Sequence, residues 1–277
     1  MKSLKHLLAV AFQSSIETVL SWRRLPLSRY FPRGFSWPYD VQRFAGTRRA
    51  EVIFDVGANV GQTVERLVRY FPQAEIFSFE PDRRCVAELQ RRFGGNARVH
   101  LHGLAVGAAP GTATLQLNDD SQLNTLVGAV SGATSAAVEV TTLDAFAASA
   151  GISHIDLLKI DVEGWELEVL RGADRLIADH NVVFVLAEAS FSHREPSMQP
   201  FASLHGEMEK RGFVLGGFYD LKRYGPRNEF VLFGNVLYVH PAARLKWGDL
   251  GAEWENWMAE QQPKWQGQRA VAPEGGA

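Results

Sequence analysis

The fold of this chain is decided by one stretch, VIFDVGANVGQTVERL, which runs from Val52 to Leu67. Its first five residues, apolar apart from Asp55, are typical of a buried strand, and apolar residues at helical spacing follow Gly61. The turn between these elements also contains Gly57, so a ligand can approach its backbone, and the next helix offers free N–H groups. Alone the turn is weak evidence, because a tight strand-helix turn also needs glycine for packing.

Strands and helices continue to alternate beyond this stretch. Further strands are predicted at EIFSFE (75–80), RVHLHGLAV (98–106), IDLLKIDV (155–162) and NVVFVLAEA (181–189). Helices are predicted at PDRRCVAELQRRF (81–93), LDAFAASAG (143–151), GWELEVLRGADRLI (164–177) and FASLHGEMEKRG (201–212). Two β segments (111–118 and 136–143) and a final hairpin (213–221 and 229–240) complete the pattern. It predicts an α/β fold, in which a mostly parallel sheet has helices on both faces and binds its ligand at the carboxyl ends of the strands.

The composition is that of an ordinary soluble protein with one catalytic-sized domain and terminal additions. The chain has 277 residues, of which 46% are hydrophobic and 22% charged. Its single cysteine, Cys85, excludes an internal disulfide framework and a cysteine-cluster metal site, and suits a reducing compartment. A net charge of -2 gives no reason to expect a nucleic acid partner.

The first fifty residues differ in charge from the rest of the chain. They contain nine Lys or Arg and two acids, a net charge of +7 that leaves -9 for the remainder. Apolar residues at Leu4, Leu8, Ile16 and Val19 predict an amphipathic helix, and LLAVAF is too short to span a membrane. We expect a helix packed beside the main domain of a cytoplasmic protein, with weak contact to anionic lipid as the alternative.

The second strand indicates which ligand the first turn binds. The turn lacks the Gly-Lys-Ser/Thr ending of a P-loop and the G-x-G-x-x-G of a dinucleotide site. Glu80 ends the second strand 25 positions after Asp55, where an acid can accept both ribose hydroxyls of an adenosine. Asp55 is placed to meet an ammonium group rather than a pyrophosphate. S-adenosylmethionine, with a ribose, an amino acid and no phosphate, fits both acids.

Four motifs resemble those of the FkbM-type methyltransferases: FDVGANVGQT, FSFEPD, VTTLDAF and LLKIDVEGWELEVLRGA. The resemblance covers residues 51–240 and implies an S-adenosylmethionine-dependent domain with a seven-stranded Rossmann-like sheet. It implies O-methylation of a hydroxyl group on a sugar, glycoside or natural product. A basic helical extension (1–50) and a Trp-rich segment with a disordered tail (241–277) fall outside it.

The resemblance also implies where the cofactor binds. Asp55, Gly57, Ala58, Asn59 and Gly61 are expected at its methionine end. Glu80 is expected at the ribose, and Pro81, Asp82, Leu104 and Ala105 near the adenine. Asp82 has an equally good alternative, as a capping acid on its helix.

The catalytic candidates follow the fourth and fifth strands. Lys159 and Asp161 lie on one face of their strand, where a buried lysine needs a partner. They form a structural ion pair, or they orient or deprotonate the acceptor hydroxyl. Glu163 and Glu188 reach the same sheet edge, and His193 in the next loop is a candidate general base, although most loop histidines are not catalytic.

Several alternatives stay open on the sequence alone. Asp161, Glu163 and Glu188 could gather a divalent cation, but they lack a recognised ligand spacing, and we predict no metal. The segment 118–135 is a candidate lid over the pocket, or an exposed loop. The C-terminal tryptophans could stack on sugars or form a subunit contact, although docking onto the core is favoured. A catalytically inactive cofactor-binding scaffold and a nicotinamide-dependent oxidoreductase are the competing functions.

Overall fold

The structure is a computed structural model. It describes residues 32–46, 48–118, 121, 125–126, 134–193, 195, 197–245, 256 and 259–260. The amphipathic helix expected before residue 32 lies outside these residues, as do Trp247, Trp254, Trp257 and Trp265.

Helices and strands alternate through the described chain as the sequence predicts. The helices are α1 (Trp37–Ala45), α2 (Gln62–Tyr70), α3 (Arg83–Phe93), α4 (Leu143–Ala150), α5 (Glu166–Arg171), α6 (Asp174–Ala178), α7 (Phe201–Lys210) and α8 (Pro241–Leu245). The strands are β1 (Val52–Val56), β2 (Glu75–Phe79), β3 (Val99–His102), β4 (Ala105–Val106), β5 (Gly111–Leu117), β6 (Thr134–Thr141), β7 (Ile155–Ile160), β8 (Val182–Ser190), β9 (Val214–Tyr224) and β10 (Phe230–Val239).

Seven of these strands form the main sheet, in the order β3-β2-β1-β7-β8-β10-β9. The first five are parallel, and β10 runs antiparallel between β8 and β9. The strand order reverses direction at β1 and β7, where Asp55 pairs with Lys159. The predicted seven-stranded, mostly parallel sheet is confirmed, and its switch point lies beside the first turn.

Both faces of this sheet are covered by helices. Ile53 packs on the face with α1, α2, α3 and α8, and Phe54 packs on the face with α4 to α7. Each is fully buried, and burying such a side chain contributes about 1.5–3 kcal/mol. Strand β1 is therefore covered on both faces, which explains why all of its residues except Asp55 are apolar.

The helix ends follow local sequence signals. Asp82 caps α3 by accepting a hydrogen bond from the Arg84 amide at 2.9 Å, and Thr142 caps α4 in the same way at 3.1 Å from the Ala145 amide. Gly151 ends α4 in the left-handed conformation, as the sequence predicts.

Two predicted elements are wrong in detail. The third strand is not continuous to residue 106: β3 ends at His102, and β4 joins a separate sheet with β5 and β6 in the order β4-β6-β5. The helix predicted for residues 164–177 is two short helices, because Gly172 packs against the Gly107 carbonyl and the chain turns there. Within the described residues, no helix combines the length and apolar character needed to cross a bilayer.

Candidate active site

A cavity of about 380 Å³ opens at the carboxyl ends of β1, β2, β7 and β8. Most of the predicted site residues line it. They are Gly57, Ala58, Asn59, Glu80, Pro81, Leu104, Ala105, Asp161, Glu163 and Glu188. The other five predicted residues, Asp55, Gly61, Asp82, Lys159 and His193, lie outside its wall.

The turn after β1 is held tightly against the turn after β7. Gly57 has a φ of 83°, and a Cβ atom there would overlap the carbonyl oxygen of Asp161. The Gly57 and Ala58 amides donate to the Phe79 carbonyl at 3.0 and 3.1 Å, which ties the turn to β2. Glycine is therefore required at position 57 by both conformation and space.

Glu80 connects this turn to the start of α3. It is 6% exposed, and its two carboxylate oxygens accept from the Asn59 and Asp82 amides, each at 2.8 Å. Burial raises the pKa of Glu80 to about 7, against the lowering effect of these two hydrogen bonds. Each oxygen keeps a second lone pair, so Glu80 can accept hydroxyl groups at the cavity while bracing the turn.

Asn59 extends the same network towards the β5–β6 connection. Its φ is 47°, and its side-chain oxygen accepts from the Val60 amide at 2.7 Å and from the Ser121 hydroxyl at 3.0 Å. Ser121, Thr125 and Leu126 also line the cavity, so described parts of the predicted lid segment do border it.

Asp55 lies beneath the cavity floor. It is fully buried, and neither carboxylate oxygen has a hydrogen-bond partner among the described residues. Burial raises the pKa of Asp55 to about 7, with the nearby Lys159 ammonium opposing this. A buried acid without a partner is costly, so a positive charge bound near it in the cavity would favour its ionised form.

The contacts of Gly61 and Asp82 stabilise the starts of helices α2 and α3. Gly61 precedes α2 with a φ of 91°, and a Cβ atom there would overlap the ring of Phe93. Asp82 caps α3 and forms an ion pair with Arg84 at 2.7 Å. Of the two alternatives for Asp82, the structure shows the capping contact.

Lys159 and Asp161 form the expected pair. The Lys159 ammonium donates to the Asp161 carboxylate at 3.0 Å and to the Ile160 carbonyl at 3.2 Å. Burial alone would lower the pKa of Lys159, but the carboxylates of Asp161, Glu188 and Asp55 raise it above its ordinary value. Lys159 is 2% exposed, so it reaches the cavity only through Asp161.

Three carboxyl groups lie together at the far side of the cavity. Asp161, Glu163 and Glu188 each place an oxygen within 4.8 Å of the others. Burial, with Asp161 as the next contribution, raises the pKa of Glu163 to about 8 and that of Glu188 to about 9. Grouped oxygens of this kind can bind the hydroxyl groups of an acceptor or a hard cation.

His193 lies in the turn after β8 and is exposed. The cavity wall next to it is formed by Glu195, Ser197 and Met198 instead. The sequence predicted His193 in this loop and not these three residues.

Other lining residues also went unpredicted. Phe233 and Lys222 come from paired positions of β10 and β9. The two strands were predicted, the first only as far as residue 221, but only the insertion of β10 beside β8 brings Phe233 and Lys222 to the cavity. No local sequence signal marks them.

The relatives that share sequence with this chain include two methyltransferases. NoeI of Sinorhizobium fredii, a 2-O-methyltransferase, is 26% identical over 149 residues, which are 48% of this chain and 61% of NoeI. Methyltransferase sdnD of Sordaria araneosa is 32% identical over 155 residues, which are 44% of this chain and 60% of sdnD. The chain thus spans about three fifths of the length of these relatives.

Among solved structures, the chain is similar to TrmK of M. capricolum, determined in complex with S-adenosylhomocysteine. The TM-score is 0.41 and the identity 9%, over 72% of this chain and 67% of TrmK.

The Methyltransferase FkbM domain matches residues 55–215. The match covers more than half of the 277 residues and includes the turn after β1, Glu80 and the turn after β7. A buried acid at the end of β2, an unpartnered Asp55 and a turn without a P-loop ending all suit the S-adenosylmethionine of this family. The chain therefore belongs to the FkbM methyltransferases, with their Rossmann-like class I fold and S-adenosylmethionine as cofactor.

Proposed function

We propose that this chain transfers the methyl group of S-adenosylmethionine to a hydroxyl group of a sugar, a glycoside or a related natural product. The observation that supports this best is the group of carboxyls formed by Asp161, Glu163 and Glu188 in the same cavity as Glu80. Carboxyl groups bind and deprotonate hydroxyls, and the oxygen specificity in the name of NoeI agrees with this acceptor. The catalytic domain we propose is residues 51–240, flanked by an N-terminal extension (1–50) and a C-terminal segment (241–277).

The cofactor half of the proposed site is built on β1 and β2. Glu80 accepts the ribose hydroxyls, and the backbone from Gly57 to Asn59 contacts the methionine end. Pro81, Leu104 and Ala105 pack against the adenine. Asp55 and Gly61 support this half from behind the wall, with Asp55 supplying the charge that favours the ammonium group.

The acceptor half of the proposed site uses the carboxyls. S-adenosylmethionine supplies an activated methyl group, so alignment of acceptor oxygen, methyl carbon and sulfur is the main task of the protein. The oxygen–carbon bond forms as the carbon–sulfur bond breaks, and the hydroxyl proton passes to a carboxylate. We assign that proton to Asp161, which Lys159 holds at 3.0 Å, and the orientation of acceptor hydroxyls to Glu163 and Glu188. His193 does not line the cavity, so we do not assign it the role of general base.

The proposal is tested first by binding and then by transfer. Calorimetric titrations with S-adenosylmethionine, S-adenosylhomocysteine and NAD should show binding of the first two alone. Methyl-labelled cofactor is then offered with glycosides that have free neighbouring hydroxyls, and with amines and carboxylic acids as comparison acceptors. Label on glycoside oxygen is the expected result. NAD binding alone, or label only on nitrogen or carboxyl groups, would overturn the proposal, and cofactor binding without transfer to any acceptor would favour an inactive scaffold.

Asp161→Asn should lower kcat by about 10²–10⁴, the usual contribution of a general base, while the Kd for S-adenosylhomocysteine changes little. Glu139→Gln, on the exposed side of β6, is the matched control and should keep full activity. Because Asp161→Asn leaves the buried Lys159 without its anion, thermal unfolding is measured in parallel, and Lys159→Met/Asp161→Asn removes both charges. Full activity in a folded Asp161→Asn protein would exclude the assigned role.

A further inference from the structure

Glu166 is a buried acid that the proposed chemistry does not use. It is the first residue of α5, follows the turn after β7 and is 1% exposed. It does not line the cavity, although Glu163 and Asp161 nearby do. One carboxyl oxygen, Oε2, has no hydrogen-bond partner among the described residues. Such a group needs a structural or functional reason, since burying it without one is costly.

The other oxygen of Glu166 holds the turn that carries Glu163. Oε1 accepts from the Val162 amide at 3.3 Å and from the Gly164 amide at 3.4 Å, the two amides on either side of Glu163. Glu163 itself has a φ of 50° and Gly164 a φ of 96°. A non-glycine residue stays in this left-handed region only where its surroundings impose it, and such residues concentrate at functional sites.

The turn is fixed at its other contacts as well. The Asp161 amide donates to the Val56 carbonyl at 3.0 Å, and the Thr125 hydroxyl donates to the Glu163 carbonyl at 2.9 Å. These bonds fix the start of the turn and one peptide group. The hydrogen bonds to Glu166 fix the Val162 amide and hold the Glu163–Gly164 peptide group from its N–H side, and so complete the conformation in which Glu163 lines the cavity.

We propose that Glu166 is a positioning residue for methyl transfer, which keeps the Glu163 carboxyl beside Asp161 and Glu188 by holding the Val162 and Gly164 amides. It acts through Glu163 and touches neither cofactor nor acceptor. This inference rests on the proposed function of the three carboxyls. A displacement of about 1 Å at reacting groups costs on the order of 10²-fold in rate, so loss of this support should affect turnover first.

Three substitutions of Glu166 should differ in how well they hold the Val162 and Gly164 amides. Glu166→Ala removes the accepting oxygen, and Glu166→Asp withdraws it by one methylene. Glu166→Gln keeps an uncharged oxygen in the same place. Burial raises the pKa of Glu166 to about 7, so a neutral side chain suits this site, and glutamine should restore what alanine loses.

The test compares these variants in the full chain. With the best glycoside from the acceptor panel, Glu166→Ala and Glu166→Asp should lower kcat by about 10²-fold, as expected for misplacement, with KM and the Kd for S-adenosylhomocysteine nearly unchanged. Glu166→Gln should recover most of the rate. Glu168→Gln, on the same short helix and paired with Arg171, is the matched control and should match the wild type.

A second readout needs no acceptor. Amide hydrogen exchange at residues 162–164, measured with S-adenosylhomocysteine bound, should speed up in Glu166→Asp and stay slow in Glu166→Gln. Unchanged exchange in Glu166→Asp, unchanged kcat, equal loss in the glutamine variant, or a parallel loss of cofactor affinity would each overturn the inference. If no acceptor is methylated at all, the proposed function fails, and the inference fails with it whatever the exchange shows. If the wild type methylates a glycoside and amide exchange in Glu166→Asp is unaltered, the inference about Glu166 fails while the proposed function stands.

Discussion

Glu80 accepts hydrogen bonds from two backbone amides and also lines the cavity, so one side chain both braces the turn after β1 and forms part of the cavity wall. The alternation of strands and helices along the chain places Glu80 directly after β2, and for this reason the sequence alone predicted it as a site residue. Asp82, two residues later, could not be assigned in the same way, because an acid before a helix is equally suited to capping. At the scale of single residues, a strand end defines a role better than a helix start does.

Glu80→Ala should weaken binding of S-adenosylhomocysteine by about ten- to a hundredfold, since hydrogen bonds to a charged group contribute about 1.5–3 kcal/mol. Calorimetric titration gives the Kd. The matched control is Glu75→Ala, at the other end of the same strand, where Glu75 contacts His100 at 2.8 Å on the protein surface. If Glu80→Ala and the wild type bind S-adenosylhomocysteine equally well, Glu80 does not contact the ribose.

At the scale of elements, the site depends on two turns that touch. The turn after β1 can approach the turn after β7 only because Gly57 has no side chain. The sequence identified both turns as functional but gave no indication that one packs directly on the other. That contact arises from the register of β1 beside β7, which places Asp55 opposite Lys159.

Gly57→Ala should separate these turns, because the added Cβ overlaps the Asp161 carbonyl oxygen and the φ of 83° is strained for alanine. We expect a loss of about 2–4 kcal/mol in the free energy of unfolding, measured by urea denaturation, together with weaker binding of S-adenosylhomocysteine. Gly206→Ala is the control, since this helical glycine has nothing within 4 Å of a new Cβ and alanine favours helix by about 1 kcal/mol. Similar stabilities for the two variants would contradict the close packing.

At the scale of the whole molecule, several buried acids lie at one edge of the sheet, at the carboxyl ends of the parallel strands. The pKa values of Asp55 and Glu80 are raised to about 7, that of Glu163 to about 8 and that of Glu188 to about 9. Between the ordinary carboxyl pKa and these values the folded state binds more protons than the unfolded state. The free energy of unfolding therefore falls as the pH rises through this range, and the loss is complete above the folded pKa values.

The melting temperature of the protein without cofactor should thus decrease from pH 5 to pH 9. Glu188→Gln should flatten this decrease, because it removes the acid whose pKa is raised furthest. Differential scanning calorimetry across the pH range measures both curves, with the surface variant Glu209→Gln as control. A melting temperature that rises over this range would show that these acids are ionised in the folded protein. An unchanged slope in Glu188→Gln would show the same for Glu188.

The sequence by itself determined the doubly covered sheet, because apolar runs and helical patterns alternate, and it identified ten of the residues that line the cavity, because strand ends meet at one edge. It placed the third strand and the helix after Glu163 wrongly in detail, since β4 pairs with β6 in a second sheet and Gly172 lies against the Gly107 carbonyl, and both contacts are with distant segments. Only the tertiary structure decided the rest. Phe233 and Lys222 reach the site through the insertion of β10, and Glu166 supports Glu163 through hydrogen bonds, so neither role leaves a periodic pattern in the chain.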